Sequence, residues 1–358
     1  MREPSEARGD TPEARSARKS EARDARKEMT RRGDDLRYWF AGNRGPLLAA
    51  ALFVAMFALF ITKHPAGFSA SAINTAANKG ALLALVAMAQ TIPVLTSGLD
   101  LSVGSVFVLS NCLASRLLTG TPAELALAVA AVLGAGLACG ALNGIVVVYG
   151  RLQPIIATLA TGAIYYGVAL WLRPTPGGEV HEGFADFMTG SLFDAVPFSI
   201  VILVGVAVLI WIPYRRSVLG RAAYAIGSSE QAAYMSGVPI ARAKLLTYVL
   251  AGLLSSIAGL LLTCLTYSGE ANALLGGSYT LNSIAAVVVG GTSLYGGSGG
   301  AIGTIFGAFV LRTIGDLLFV FDIDALTQPL FLGIVLMISV SLGSFRLLKV
   351  KKRLDLYR

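Results

Sequence analysis

Residues 215–244 read RRSVLGRAAYAIGSSEQAAYMSGVPIARAK, a polar, turn-rich island between two long apolar runs. Five basic residues, Arg215, Arg216, Arg221, Arg242 and Lys244, stand in it or at its edges. The chain therefore leaves lipid here, on the side where positive charge collects. Ser228 is a candidate N-cap with Gln231 three residues on and Glu230 in the first turn, and Gly237 followed by Pro239 stops the helix. A helix of about two turns is marginal alone in water. It must rest on something: its own bundle, or a partner on the same side of the membrane.

Outward from the island the composition sets the class. The chain has 358 residues, 55% of them hydrophobic, with 40 glycines and a mean hydropathy of +0.68, which describes an all-α polytopic membrane protein. A span needs about 20 mostly apolar residues, and runs of that kind lie near 46–62, 72–96, 101–119, 124–149, 153–172, 198–213, 245–268, 280–295, 300–321 and 326–343. That predicts ten transmembrane helices.

Charge orients them. Arg31, Arg32, Arg37 and Arg44 precede the first run, and Arg346, Lys349, Lys351, Lys352 and Arg353 follow the last. Together with the island these belong on the cytoplasmic side. The segment 173–197 carries Glu179, Glu182, Asp186 and Asp194 against one arginine, and Asp322 and Asp324 sit in another poorly basic connection, so both face outward. Ten spans place both termini in the cytoplasm.

Three regions follow: an arm at 1–44, a transmembrane domain at 45–345 that includes a cytoplasmic loop at 214–244, and a basic cytoplasmic tail at 346–358. The arm holds 12 Lys/Arg and 9 Asp/Glu with almost no large apolar residue before Leu36, so it is expected to be disordered. It lacks a signal-peptide pattern. Its mixed charge reads as a solvated tail with weak attraction to membrane lipid rather than as a nucleic-acid binder.

Gly136, Gly140 and Gly144 recur at four-residue spacing, as do Gly299, Gly303 and Gly307. Such stripes let helix backbones approach closely. Cys112, Cys139 and Cys264 lie singly within apolar runs, which indicates neither a disulfide framework nor a metal site. No P-loop, no HExxH and no Cys/His ligand cluster occurs, and His64 and His181 fall in loops, so the chain is not expected to be an enzyme or to hold a cofactor.

The activity is expected where polar, glycine-rich sequence interrupts the apolar pattern. One break contains Ser97, Gly98, Asp100, Ser102 and Gly104, the other Gly290, Gly291, Thr292 and Ser293. Non-helical backbone at depth is tolerated where it is buried in protein or lines a wet cavity, and one break in each half is the pattern of a translocation pathway. Asp100 has two tasks open to it: capping the following helix, or direct substrate or gating work. Arg312 and Asp316, four apart on one predicted helix, are expected to form a structural pair near its outer end.

Three motifs resemble the permease subunits of ribose-type ABC sugar importers: TSGLDLSVGS at 96–105, GRAAYAIGSSEQAAYMSGV at 220–238 and IAAVVVGGTSLYGGSG at 284–299. The resemblance runs from about residue 46 to 343. It implies an ABC importer permease fold in the bacterial cytoplasmic (inner) membrane, a homo- or heterodimer of such subunits, and a separate ATPase chain that carries ATP and Mg. It also implies a periplasmic or lipid-anchored sugar-binding protein. The island becomes the coupling element, with Arg221, Gly227, Ser228, Ser229, Glu230, Ala232, Ala233 and Gly237 as interface candidates. The chain departs from the pattern at Tyr279–Asn282, where many members carry carboxylates, and at Gly297-Ser298-Gly299, where G-K-G is common. The alternative is a gradient-driven secondary transporter of a small polar solute, which leaves the island unexplained. A membrane-embedded enzyme or scaffold would lack any set of nucleophile, base or metal ligands.

Overall fold

The computed structural model describes residues 43–341 apart from 66, 193–195, 336, 339 and 340. The predicted arm, apart from its last two residues, and the basic tail lie outside the described residues, as does most of the end of the tenth run.

The elements run α1 (Arg44–Lys63), α2 (Ala70–Val94), α3 (Val103–Leu117), α4 (Pro122–Val148), α5 (Pro154–Leu172), α6 (Glu182–Thr189), a two-stranded ribbon of β1 (Ser191–Leu192) and β2 (Val196–Pro197), then α7 (Phe198–Arg216), α8 (Val218–Ser228), α9 (Glu230–Met235), α10 (Ile240–Thr266), α11 (Ala273–Val289) and α12 (Ala301–Val320). Among the described residues seven helices, α1, α2, α4, α5, α7, α10 and α12, are long and apolar enough to cross a membrane, and α3 and α11 are shorter apolar helices. The chain is a multi-pass membrane protein.

Local chemistry starts the helices where they start. Ser69 caps α2 by accepting from the Ala72 N–H. Thr121 and Glu124 form a reciprocal capping box around Pro122 at the head of α4. Asn272 caps α11. Each satisfies N–H groups that the helix itself leaves unpaired.

The bundle is built around α2 and α10, with about two thirds of the apolar window of each enclosed (67% and 61%) against 11% for α1. Small residues allow this. Gly136, Gly140 and Gly144 of α4 face Ser256, Tyr248 and Leu245 of α10, and a methyl group at Gly140 would lie 2.9 Å from the Val249 Cα. Gly303 and Gly307 of α12 meet Gly290 and Ala286 at the end of α11. Gly299 does not belong to that stripe: it precedes α12, in the loop, with φ +109°. Cys112 and Cys264 are buried and Cys139 half-buried.

Several boundaries differ from expectation. The run 280–295 is expected to open a span at 280, but α11 begins at Ala273, where Asn272 caps it and Gly276 packs against Gly104 and Val108 of α3. Helix α10 begins at Ile240, so Arg242 and Lys244 belong to its first turns rather than to a loop. The acidic segment 173–197 holds the short helix α6, with His181 as its N-cap. The two glycine-rich interruptions lie between helices rather than within one: 95–102 joins α2 to α3, and 290–300 joins α11 to α12.

Candidate functional site

The island folds as two helices joined by one extended residue. Ser217 caps α8 by accepting from the Gly220 N–H at 3.0 Å. Ser229, with φ −164°, ends α8 and caps α9 by accepting from the Ala232 N–H at 3.3 Å. The expected N-cap, Ser228, is instead the last residue of α8, and its hydroxyl donates to the Tyr224 carbonyl. The register slips by one because only the residue that leaves helical φ/ψ can turn its side chain onto the next helix. Gly237 closes α9 in the left-handed region, φ +73°. Its N–H donates to the Tyr234 carbonyl, and the Val238 N–H to Ala233, a Schellman ending. Ala222, Ile226, Ala233 and Ala243 form a small core under the island.

Helix α8 is seated on both glycine-rich turns. A methyl group at Gly227 would overlap the Leu95 carbonyl and lie 2.9 Å from the Gly296 carbonyl carbon. The turns also bond each other: the Gly297 N–H donates to the Leu95 carbonyl at 3.1 Å, and the Ser97 hydroxyl to the Tyr295 carbonyl at 2.7 Å. The Tyr224 phenol of α8 donates to the Gly299 carbonyl at 2.9 Å. Burial raises the pKa of this phenol, which keeps the donor protonated. Three segments far apart in sequence thus meet backbone to backbone.

The 95–102 turn is tied inward by a buried polar network. Asp100, 1% exposed, accepts from the Ser102 N–H at 2.9 Å and the Ser102 hydroxyl at 2.6 Å. Asn143 of α4 donates to the Ser102 Oγ at 2.7 Å and reaches Asp100 at 3.5 Å. Asn143 Oδ1 in turn accepts from the hydroxyls of Thr161 and Tyr165 on α5. Thr158 receives the Leu101 N–H, and Thr280 of α11 the Gly104 N–H. Ser102 is the N-cap of α3 but its side chain makes no cap bond, so Asp100 closes an Asx turn on the residue before the helix rather than capping the helix. Helix α3 has 15 residues, roughly 22 Å at ~1.5 Å per residue, short of the ~30 Å hydrocarbon core. A turn at its head has to be satisfied within protein, and this network does that.

Among the described residues two further features stand apart from this junction. The Arg312–Asp316 pair forms at 3.3 Å. Arg312 lines two cavities, one of about 440 Å³ among α2, α11, α12 and residues 328–333, the other of about 250 Å³ against α1, α2 and α7.

Residues 72–340 match the family model described as the permease component of branched-chain amino acid transport systems. The chain belongs to this permease family. It is 35% identical over 304 residues to the ribose import permease of Bacillus subtilis (strain 168), covering 83% of this chain and 91% of the relative. It is 33% identical over 295 residues to the ribose import permease of Escherichia coli (strain K12), covering 80% and 90%. It is 32% identical over 266 residues to the autoinducer 2 import system permease of Yersinia enterocolitica, covering 72% and 79%. No solved structure matches. The resemblance to ribose-type import permeases is thereby borne out, and the chain is a transport subunit.

In this permease the expected site residues divide by direction. Arg221, Ser228, Ser229, Glu230, Ala232 and Gly237 are exposed on the island, whereas Ala233 is buried and Gly227 faces the two turns. Glu230 is partly engaged within the chain, 2.7 Å from Lys244. The sequence reading missed Tyr234 and Met235, 75% and 81% exposed; two adjacent large apolar side chains in a polar island were the signal. Of the expected pathway residues, Gly98, Asp100, Ser102, Gly104, Gly290 and Thr292 are buried in the turns and networks, and neither cavity touches any of the set.

Proposed function

We propose that this chain is the membrane permease of an ABC importer for a monosaccharide of the ribose, xylose or galactose kind, coupled through its island to a separate ATPase chain. The observation that carries the reading is the seating of α8 on both glycine-rich turns. A push on the island is delivered directly to the α2–α3 and α11–α12 connections, which come from opposite halves of the chain. Nearly the whole length of two ribose import permeases aligns with this chain, which supports the substrate class.

In this reading the spans number ten, counting α3, α11 and the run near 326–343, with both termini in the cytoplasm of a bacterium and the permease in its inner membrane. Residues 1–44 and 346–358 are cytoplasmic extensions, and 45–345 is the transmembrane domain. Two permease subunits, identical or not, form one pathway, and a binding protein delivers sugar from outside. ATP and Mg reside on the ATPase. The docking face consists of Arg221, Ser228, Ser229, Glu230, Ala232 and Gly237 with Tyr234 and Met235, while Gly227 and Ala233 hold the face in position. The turns that contain Ser97, Gly98, Asp100, Ser102, Gly104, Gly290, Gly291, Thr292 and Ser293 act as gates by moving helices, not by contacting sugar.

Purification of the tagged chain in mild detergent, with ATPase activity measured on the eluate, tests this reading. An active ATPase should co-elute with the wild type and be lost from the Glu230→Lys variant, which places two like charges beside one another at Lys244. A chain that elutes alone and transports in proteoliposomes without ATP would sink the proposal in favour of gradient-driven transport.

A further inference from the structure

The 440 Å³ cavity has the chemistry of a binding site, and its position separates it from the turns described above. It lies among Leu83 of α2, Ser278 and Asn282 of α11, Arg312 of α12 and Gln328. Its volume falls within the ~300–1,000 Å³ usual for small-molecule sites. Arg312 stands at its wall, eleven residues past the start of the 20-residue α12, at mid-depth of the span. An ionisable residue at such depth is costly and marks a functional site by default. One pair bond to Asp316 is made by Nη2, yet Arg312 Nε is buried and makes no hydrogen bond among the described residues. The guanidinium is therefore neutralised but not saturated.

That distinction selects the ligand. A site for an anion would need an unmatched positive charge, but Asp316 already balances Arg312. What remain are uncharged donors and acceptors, the Asn282 and Gln328 amides and the Ser278 hydroxyl, set among Leu275, Leu281 and Leu332. Each amide offers both a donor and an acceptor, which is what a ring of hydroxyl groups asks for, and the leucines meet the C–H faces. The Gln328 amide lies directly over Gly315, where an added methyl group would be 2.5 Å from its nitrogen. A glycine there lets the side chain lie flat along the cavity wall.

We propose that this cavity, with Arg312, Asn282 and Gln328 as its polar groups, is a transient site for a neutral, polyhydroxylated monosaccharide in transit through the permease. The proposal rests on the carbohydrate-importer reading for its ligand. The site holds sugar after the binding protein has released it, and it lies outside the set of residues that the sequence pointed to as the pathway.

Cysteine accessibility tests it in membranes that contain the whole transporter, with its ATPase and binding protein. Ser278→Cys and, separately, Leu281→Cys place a thiol on the cavity wall. The native cysteines are buried or half-buried, so the wild type is the control. The thiols are treated with 2-sulfonatoethyl methanethiosulfonate in the presence of D-ribose, D-xylose or D-galactose, and labelling rate and radiolabelled sugar uptake are both read. Both thiols should react, and the sugar that the wild type takes up should slow the reaction roughly tenfold when present at about ten times its dissociation constant. Adding Arg312→Gln should abolish that protection. Thiols that do not react with the hydrophilic reagent would place the cavity in lipid and overturn the proposal. Reaction at a rate that no sugar alters would also overturn it, even in a variant that transports poorly, because protection does not depend on turnover. If the wild type takes up none of the three sugars with ATP, the importer reading itself fails and takes this inference with it; uptake that is intact beside unprotected thiols sinks the inference alone.

Discussion

Where α8 meets the 95–102 and 290–300 turns, backbone touches backbone and no room remains for one methyl group at Gly227. Around Arg312, in contrast, two cavities stay open and a buried Nε–H lacks a partner. Close-packed contacts resist deformation and pass on a displacement, because a shift of one surface overlaps the next. Loosely filled, polar-lined space does the opposite: it yields to a ligand and leaves hydrogen-bonding capacity for it. The two regions share helices α2, α11 and α12, so one body carries both a rigid linkage and an adaptable chamber.

The largest effect is expected at the linkage. Gly227→Val should abolish ATP-driven uptake while the chain still inserts, because the displaced atoms are main-chain groups of both turns and overpacking of this kind costs about 1–3 kcal/mol. Uptake assays beside membrane-fraction immunoblots check it, and normal uptake would mean that the junction is not tight. Next, Tyr234→Ala together with Met235→Ala should weaken ATPase capture by roughly 2 kcal/mol, the scale of interface hot spots, without lowering the thermal unfolding midpoint. An unchanged yield of co-purified ATPase would move the docking face elsewhere.

Asp100→Ala tests how far the rigidity of the turn depends on its buried network. It strands the Ser102 N–H and hydroxyl, at about 1–3 kcal/mol for unsatisfied buried groups, so detergent-solubilised protein should unfold at a lower temperature. Equal unfolding temperatures would show that water or a neighbour replaces the carboxylate. The smallest effect separates two adjacent serines. Ser229→Ala removes the α9 cap, at ~1 kcal/mol, whereas Ser228→Ala removes a hydroxyl that bonds back to its own helix and should change stability within about ±0.5 kcal/mol. Amide exchange in residues 230–235 would register the first and not the second; the reverse would restore the cap to Ser228.

Much of the linkage was legible because it is local. The island's charge and the Gly237 stop depend on neighbours within a few residues and stand where sequence placed them, whereas the Arg312–Asp316 pair forms as its spacing predicts but with Arg312 near the middle of α12 rather than at its outer end. The cap was misassigned to Ser228 because Gln231 three residues on completes the capping-box pattern there, while Ser229 has Ala232 in that place; the extended φ at Ser229 overrides the pattern. The linear pattern singled out Tyr279–Asn282 and Arg312 but did not join them into a cavity, since Leu83, Asn282, Arg312 and Gln328 lie on segments up to 245 residues apart in the chain.

By itself the sequence determined that this is an apolar helical bundle with a charged island, tight glycine seams and an import-permease signature, because hydropathy, charge and helix period act over short stretches of chain. Only the tertiary structure decided that the two glycine-rich turns touch each other and the island, that Asp100 serves a network shared by α3, α4 and α5, and that Arg312 faces open space. Those facts arise from which helix packs on which, a matter of contacts between distant segments that no local pattern encodes.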